Sequence, residues 1–225
     1  MKTDKGIYLV AYIDIIRFSS EISKRSSNSI HRDLKSIWRW ANKHISNQEG
    51  FSCHFFSDCG FVFLKLFDLS DKCESLEIFI DSLKNLSDKY LDKEFILKGG
   101  ISYGKIFKST NLFLGEPIVD AVKLESLCPG PYILFPYNTL NNYYEDISAD
   151  YADYNDTASI AFPGGIRKFR LILPSNITLL NNKIEHEINI SSTWGPFNYT
   201  PFWIDAKKTI KQLLEQLHVA EEDQS

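Results

Sequence analysis

Hydrophobic positions recur along this chain with two periods, and the alternation between them lays out the elements. Ile7–Ile13, Phe51–Phe56, Phe61–Phe67, Phe95–Ile101, Tyr132–Phe135 and Ile166–Leu173 are short β-branched and aromatic runs that predict strands. Between them the apolar spacing lengthens to that of helices. Phe18–Ser29 predicts a short helix. His31–His44 predicts a longer one, with Leu34, Ile37, Trp38 and Ala41 on one face. In Asp71–Tyr90 the residues Leu76, Phe79, Ile80, Leu83 and Leu86 share a face, and Pro117–Leu127 opens on a proline suited to a first helical turn. Ser57-Asp58-Cys59-Gly60 separates two strands as a hairpin turn does, with Gly60 expected to take the difficult backbone position. Gly104–Phe107 predicts a turn into a further strand. After Phe135 the signal weakens: Tyr137–Thr157 predicts a long loop, Asn181–Trp194 a loop or hairpin, and Ile204–Val219 a terminal helix.

The order β-α-α-β-β-α-β-(β)-α-β predicts an α+β sandwich of the ferredoxin-like kind, an antiparallel-containing sheet covered by helices. At 225 residues and 44% hydrophobic content the chain can bury one sizeable core. The formal charge of −4 argues against a nucleic-acid-coating surface, and no apolar run is long enough to span a bilayer. No signal peptide is legible, so the expected location is cytoplasmic. There Cys53, Cys59, Cys73 and Cys128 would be reduced and mostly buried, and the Asn-x-Ser/Thr triplets at Asn176, Asn189 and Asn198 would be chance matches.

Two carboxylates stand out chemically. Asp14 closes the first strand and Asp58 lies in the hairpin turn, each beside apolar sequence. A carboxylate there is costly unless compensated, and divalent metal is one compensation. Taken singly, each is explained as well by a helix-capping or a turn aspartate.

The blocks around them carry a family resemblance. Tyr12-Ile13-Asp14-Ile15-Ile16-Arg17-Phe18-Ser19 resembles the first metal signature of the class III nucleotidyl cyclases, and Phe56-Ser57-Asp58 the second, 44 positions further on. Leu97–Lys105 and Gly115–Glu125 resemble two later blocks of that family in the same order. The resemblance implies a catalytic domain over residues 1–173. Residues 174–225 would be an extension, with the terminal helix packed on the same domain. It further implies a homodimer whose active sites are shared between protomers, with two Mg²⁺ or Mn²⁺ ions per site. Asp14, Asp58 and the Ile15 carbonyl would hold the metals. Arg17, the helix start at Phe18, Lys105 and Lys168 (with Arg167) would meet the phosphates, and Lys123 would offset charge in the transition state.

Several positions depart from the family pattern. Arg17 replaces a usual Gly, Lys105 and Lys123 replace Arg, and Val119 replaces an Asn that it cannot mimic. The base-reading positions hold His54 and Leu112, beside Phe56, in place of either purine-reading pair. A short cyclase core so altered resembles the Pycsar pyrimidine cyclases of bacterial antiphage defence. That resemblance implies conversion of UTP or CTP to a cyclic nucleotide that activates a separate effector. A divergent adenylate or guanylate cyclase, and a degenerate domain serving dimerisation or nucleotide sensing, are the competing expectations.

Overall fold

The computed structural model describes residues 4–67, 72–109, 112–139, 141, 157–162, 165–191 and 200–222. Along the chain run β1 (Asp4–Ile15), α1 (Phe18–Lys24), α2 (Ser27–His44), β2 (Phe51–Phe56), β3 (Cys59–Leu66), α3 (Lys72–Leu91) and β4 (Leu97–Lys108). They are followed by β5 (Phe113–Leu114), α4 (Glu116–Leu127), β6 (Ile133–Pro136), β7 (Thr157–Phe162), β8 (Gly165–Ile172), α5 (Ile177–Ser191) and α6 (Thr200–Glu222).

One mixed sheet runs β2-β3-β1-β4-β6-β8-β7, with β5 added alongside β4. Every pairing is antiparallel except β4 with β6. The four strands β4-β1-β3-β2, with the helices that follow β1 and β3, are the predicted ferredoxin-like half. Period-2 alternation splits β1 between two environments. Leu9, Ala11 and Ile13 pack under α2 and α3 with Leu34, Ile37, Leu76, Phe79 and Leu83. Tyr8 and Val10 face the other way, against Phe63, Ile106 and Ala121 of α4. Truncating a ring such as the fully buried Phe79 to Ala would cost about 3–5 kcal/mol. The Ser26 hydroxyl caps α2 by accepting the Ser29 backbone N–H at 3.3 Å, which fixes a start that the apolar pattern alone left several residues out.

The structure corrects four of the sequence expectations. No turn interrupts Gly104–Phe107: β4 continues unbroken to Lys108, and Gly104 serves close packing, since a Cβ there would lie 2.9 Å from Pro117. In the hairpin the left-handed backbone belongs to Ser57 (φ 55°), not to Gly60, where a Cβ would meet the Phe55 ring at 2.5 Å. Of Asn181–Trp194, expected as a loop or hairpin, residues 181–191 lie in α5, whose Leu180, Ile184 and Ile188 recur at helical spacing and pack with Leu91, Ile96 and Trp203, and 192–194 lie outside the described residues. Thr157–Phe162, at the end of the expected loop, forms the edge strand β7 against β8: Ala158, Ile160 and Phe162 alternate with Thr157, Ser159 and Ala161, but the run is short and only Ile160 and Phe162 are large and apolar. In the expected loop from Tyr137, residues 137–139 and 141 are helical, Thr157 begins β7, and the rest lies outside the described residues.

Among the described residues no helix is long and apolar enough to cross a membrane. Cys53, Cys59 and Cys128 are unpaired, and burial pushes the Cys53 and Cys128 thiols up to about 11.

Candidate functional site

Asp14 is the next-to-last residue of β1, opposite Cys59 on β3 and Lys98 on β4. Its parity is that of Tyr8, Val10 and Tyr12, so it looks out from the sheet face that α2 and α3 leave uncovered. Asp58 occupies the two-residue turn between β2 and β3. The Ile15 N–H donates to the Asp58 carbonyl at 3.1 Å, tying the end of β1 to that turn. One oxygen of each carboxylate and the Cys59 sulfur all lie within 4.8 Å of one another.

The electrostatics around Asp14 point to an unmet need for positive charge. Burial, then Glu125 and Asp58, push its carboxyl up to about 6, while Lys98 and the Ile15 N–H act in the opposite sense. Glu125 is itself buried on α4 and takes an ion pair from Lys98 Nζ at 2.6 Å. Burial also raises the Cys59 thiol, which donates to the Phe56 carbonyl at 3.4 Å and is hydrogen-bonded to Tyr12. Two crowded carboxylates, with Asp14's charged form disfavoured by burial and by its acidic neighbours, form a donor set that a hard divalent cation would relieve, so these residues fit the implied metal. Lys98, Glu125, Cys59 and Tyr12 were given no role from sequence. Lys98 and Glu125 lie within the two later family-like blocks, but only the β1–β4 register puts Lys98 opposite Asp14, and only the packing of α4 on the sheet brings Glu125 close enough to act on it.

The candidate phosphate residues do not gather at Asp14. The Arg17 guanidinium points to α5 and pairs with Glu187 at 2.7 Å. Phe18 begins α1 with its ring against Phe95 and the main core. Lys105 is exposed and pairs in register with Ile7; seven residues beyond Lys98, it lies about 23 Å further along β4 at the rise of a strand. Lys123 and Lys168, by contrast, come together. With Arg167, Ser102, Asp120 and Tyr137 they line a cleft of about 700 Å³ between α4, β6 and β8. Lys123, 67% exposed, lies 3.6 Å from Asp120, and the Lys168 ammonium sits 4.5 Å above the Tyr137 ring. Val119 is exposed on the same helix one turn before Lys123.

Of the base-reading candidates, His54 is held edge-on between Phe63 and Phe113, and its Nε2 is buried with no hydrogen-bond partner. Burial, then Lys108, lowers its pKa, which favours the neutral imidazole. Phe56 is half exposed near the hairpin turn. Leu112 is also half exposed, and its neighbour Phe113 is the residue that reaches His54.

No protein-family model matches this chain, and no curated protein matches it in sequence. Solved structures do share its fold. The guanylyl cyclase domain of the RhoGC fusion protein from the aquatic fungus Blastocladiella emersonii, as a double mutant, superposes with a TM-score of 0.57 at 13% identity, over 76% of this chain and 97% of that one. The catalytic core of a rhodopsin-guanylyl cyclase with converted specificity, in complex with ATPαS, gives 0.56 at 12% identity, over 77% and 99%. A bacterial light-regulated adenylyl cyclase gives 0.53 at 14% identity, over 93% of this chain and 58% of that one. At such identities the likeness establishes the fold alone: this chain folds as these cyclase domains do.

Proposed function

We propose that this protein is a nucleotidyl cyclase, converting a nucleoside triphosphate to its 3′,5′-cyclic monophosphate with release of pyrophosphate. The observation that carries the reading is the Asp14–Asp58 pair, with ligand atoms within 4.8 Å of one another at the end of β1, on the side of a cyclase-fold sheet that α4 packs against. Two Mg²⁺ or Mn²⁺ ions held by Asp14, Asp58 and the Ile15 carbonyl would supply Lewis acidity toward the ribose 3′-hydroxyl and neutralise the triphosphate. The chain's own part is positional. Strand register fixes Asp14, the Ile15-to-Asp58 hydrogen bond fixes the turn, and the Lys98–Glu125 pair sets the local charge.

The cations that would meet the phosphates lie elsewhere. Neither Asp14 nor Asp58 lines the cleft of Lys123, Arg167 and Lys168, so one protomer offers two separated half-sites on the same face. A head-to-tail homodimer would bring the carboxylates of one protomer to the cationic cleft of its partner, twice by symmetry. Lys123 would then offset charge developing in the transition state. Arg167 and Lys168 would hold the triphosphate.

For the base we propose a pyrimidine, from UTP or CTP, with the product read by a separate effector as in antiphage defence. What supports this is that His54 and Leu112, with Phe56 on the same strand as His54, match neither purine-reading pair. The solved proteins of the same fold bear names of adenylyl and guanylyl cyclases, and so keep a divergent purine cyclase as the second reading.

Incubating the protein with each nucleoside triphosphate and Mn²⁺, then identifying cyclic products by mass, tests all of this. Cyclic UMP or CMP is expected, with His54→Ala relaxing base choice while leaving the Mn²⁺ requirement intact. A purine product alone would overturn the pyrimidine assignment. No cyclic product from any of the four would overturn the enzymatic one.

A further inference from the structure

The two residues that follow Asp14 and Ile15 are both held from outside the sheet. Ile16 packs into a cluster formed by Leu180 and Ile184 of α5 and Trp203 and Ile210 of α6. Arg17 donates from Nη1 to Glu187 Oε2 of α5 at 2.7 Å, across 170 residues of sequence. Glu187 is 4% exposed, and a carboxylate buried so far needs a cation. Lys24 of α1 stands 3.8 Å from its other oxygen and 3.7 Å from the buried Glu21, which brings α1 into the same network. Arg17 meanwhile sits in the left-handed region (φ 58°, ψ 36°), a conformation that a residue with a β-carbon keeps only when its surroundings compensate.

The short segment Ile15–Arg17 is thus clamped from three directions. Ile15 donates to the hairpin turn at Asp58, Ile16 donates to the Ile96 carbonyl at 2.8 Å, and Arg17 is bound by α5. The third clamp comes from the C-terminal helices, which also pack on Ile16, and it lands two residues from a proposed metal-binding carbonyl and three from a proposed metal-binding carboxylate. We infer that Glu187, acting through Arg17, is a positioning residue that lets the α5–α6 pair hold the metal-binding end of β1 in place. The inference rests on the proposed metal role of Asp14 and Asp58. It gives the C-terminal helices a part in the chemistry rather than in stability alone, and it explains why an arginine can occupy a left-handed loop position.

Glu187→Gln keeps the shape and removes the charge. Glu185→Gln is the control: on the same helix it alters an exposed pair with Lys207 of α6. Two readouts separate anchoring from its consequence: amide hydrogen exchange across residues 14–18, and Mn²⁺ affinity of the metal-free protein by calorimetry. Glu187→Gln should speed exchange in that segment and weaken Mn²⁺ on the order of tenfold, the usual scale for losing a group that orients a ligand, while Glu185→Gln matches the wild type. Should Glu187→Gln fail to fold, Arg17→Gly removes the same contact while suiting the left-handed backbone, and the same two changes are expected. Unchanged exchange would overturn the anchor. Faster exchange with unchanged Mn²⁺ affinity would overturn the positioning role. If Asp14→Ala binds Mn²⁺ as well as the wild type, the metal reading itself falls, and the exchange data still decide the anchor.

Discussion

On the α4 side of the sheet, Asp14 and Asp58 are fixed by strand register and a backbone hydrogen bond, whereas Lys123, Arg167 and Lys168 reach from α4 and β8 into a wide cleft. The difference follows from what each group can tolerate. A partly desolvated carboxylate among other carboxylates is held only where backbone and core leave it no escape, and its raised pKa records that constraint. Lysine and arginine carry their charge on long apolar stems, so they can stay hydrated and be ordered by whatever anion arrives. The proposed carboxylate half-site is therefore organised before any ligand binds, and the proposed cationic one would be organised by the ligand and a partner protomer.

The largest effect should come from breaking the organised half. Asp14→Ala or Asp58→Ala should cut turnover by at least about 10³-fold with the circular dichroism spectrum retained. Asp14→Asn adds a stability test. Because the folded protein holds this carboxyl at about 6 against an ordinary 3.8, its stabilising contribution is fully present below about pH 3.8 and is lost as pH rises through about 6. In metal-free thermal melts, Asp14→Asn should remove that part of the decline between those pH values. At pH 7, Mn²⁺ should raise the melting temperature of the wild type and not of the variant.

Mixing sharpens the comparison directly. Asp14→Ala and a Lys123→Ala/Lys168→Ala double variant should each be nearly inactive alone. If the half-sites pair across protomers and subunits exchange freely, an equal mixture forms half heterodimers with one intact site each and recovers about a quarter of wild-type activity. No recovery, with heterodimers demonstrated by mass, would place both half-sites in one protomer's reaction.

A smaller effect is expected at Glu125. Glu125→Gln takes away the second-largest cause of Asp14's raised pKa, so the acid limb of Mn²⁺ binding should move to lower pH by less than one unit. An unmoved acid limb in a calorimetric pH series would show that Glu125 does not act on Asp14.

Much of this molecule is legible in its sequence, and for local reasons. Leu76, Phe79, Leu83 and Leu86 announce α3 by spacing, and Ser57-Asp58 between two aromatic strands announces the hairpin. Asp14 and Asp58 were found because each sits in a short block with its own pattern. The helix α5 was readable in principle from Leu180, Ile184 and Ile188, but the polar residues between them masked the period. β7 carries a period-2 pattern, but over six residues with two alanines it offers only Ile160 and Phe162 as large apolar markers.

What the sequence determined by itself was the order of elements from β1 to β6, their apolar faces and the interval between the two aspartates, because these depend on neighbours a few residues away. Only the tertiary structure decided that Glu125 and Lys98 flank Asp14, that Lys105 lies at the far end of β4, and that Arg17 turns to Glu187. Those are matters of register and of which charges are buried together. The energy of a desolvated charge is set by whatever partner the fold brings within a few ångströms, however far away that partner lies in the chain.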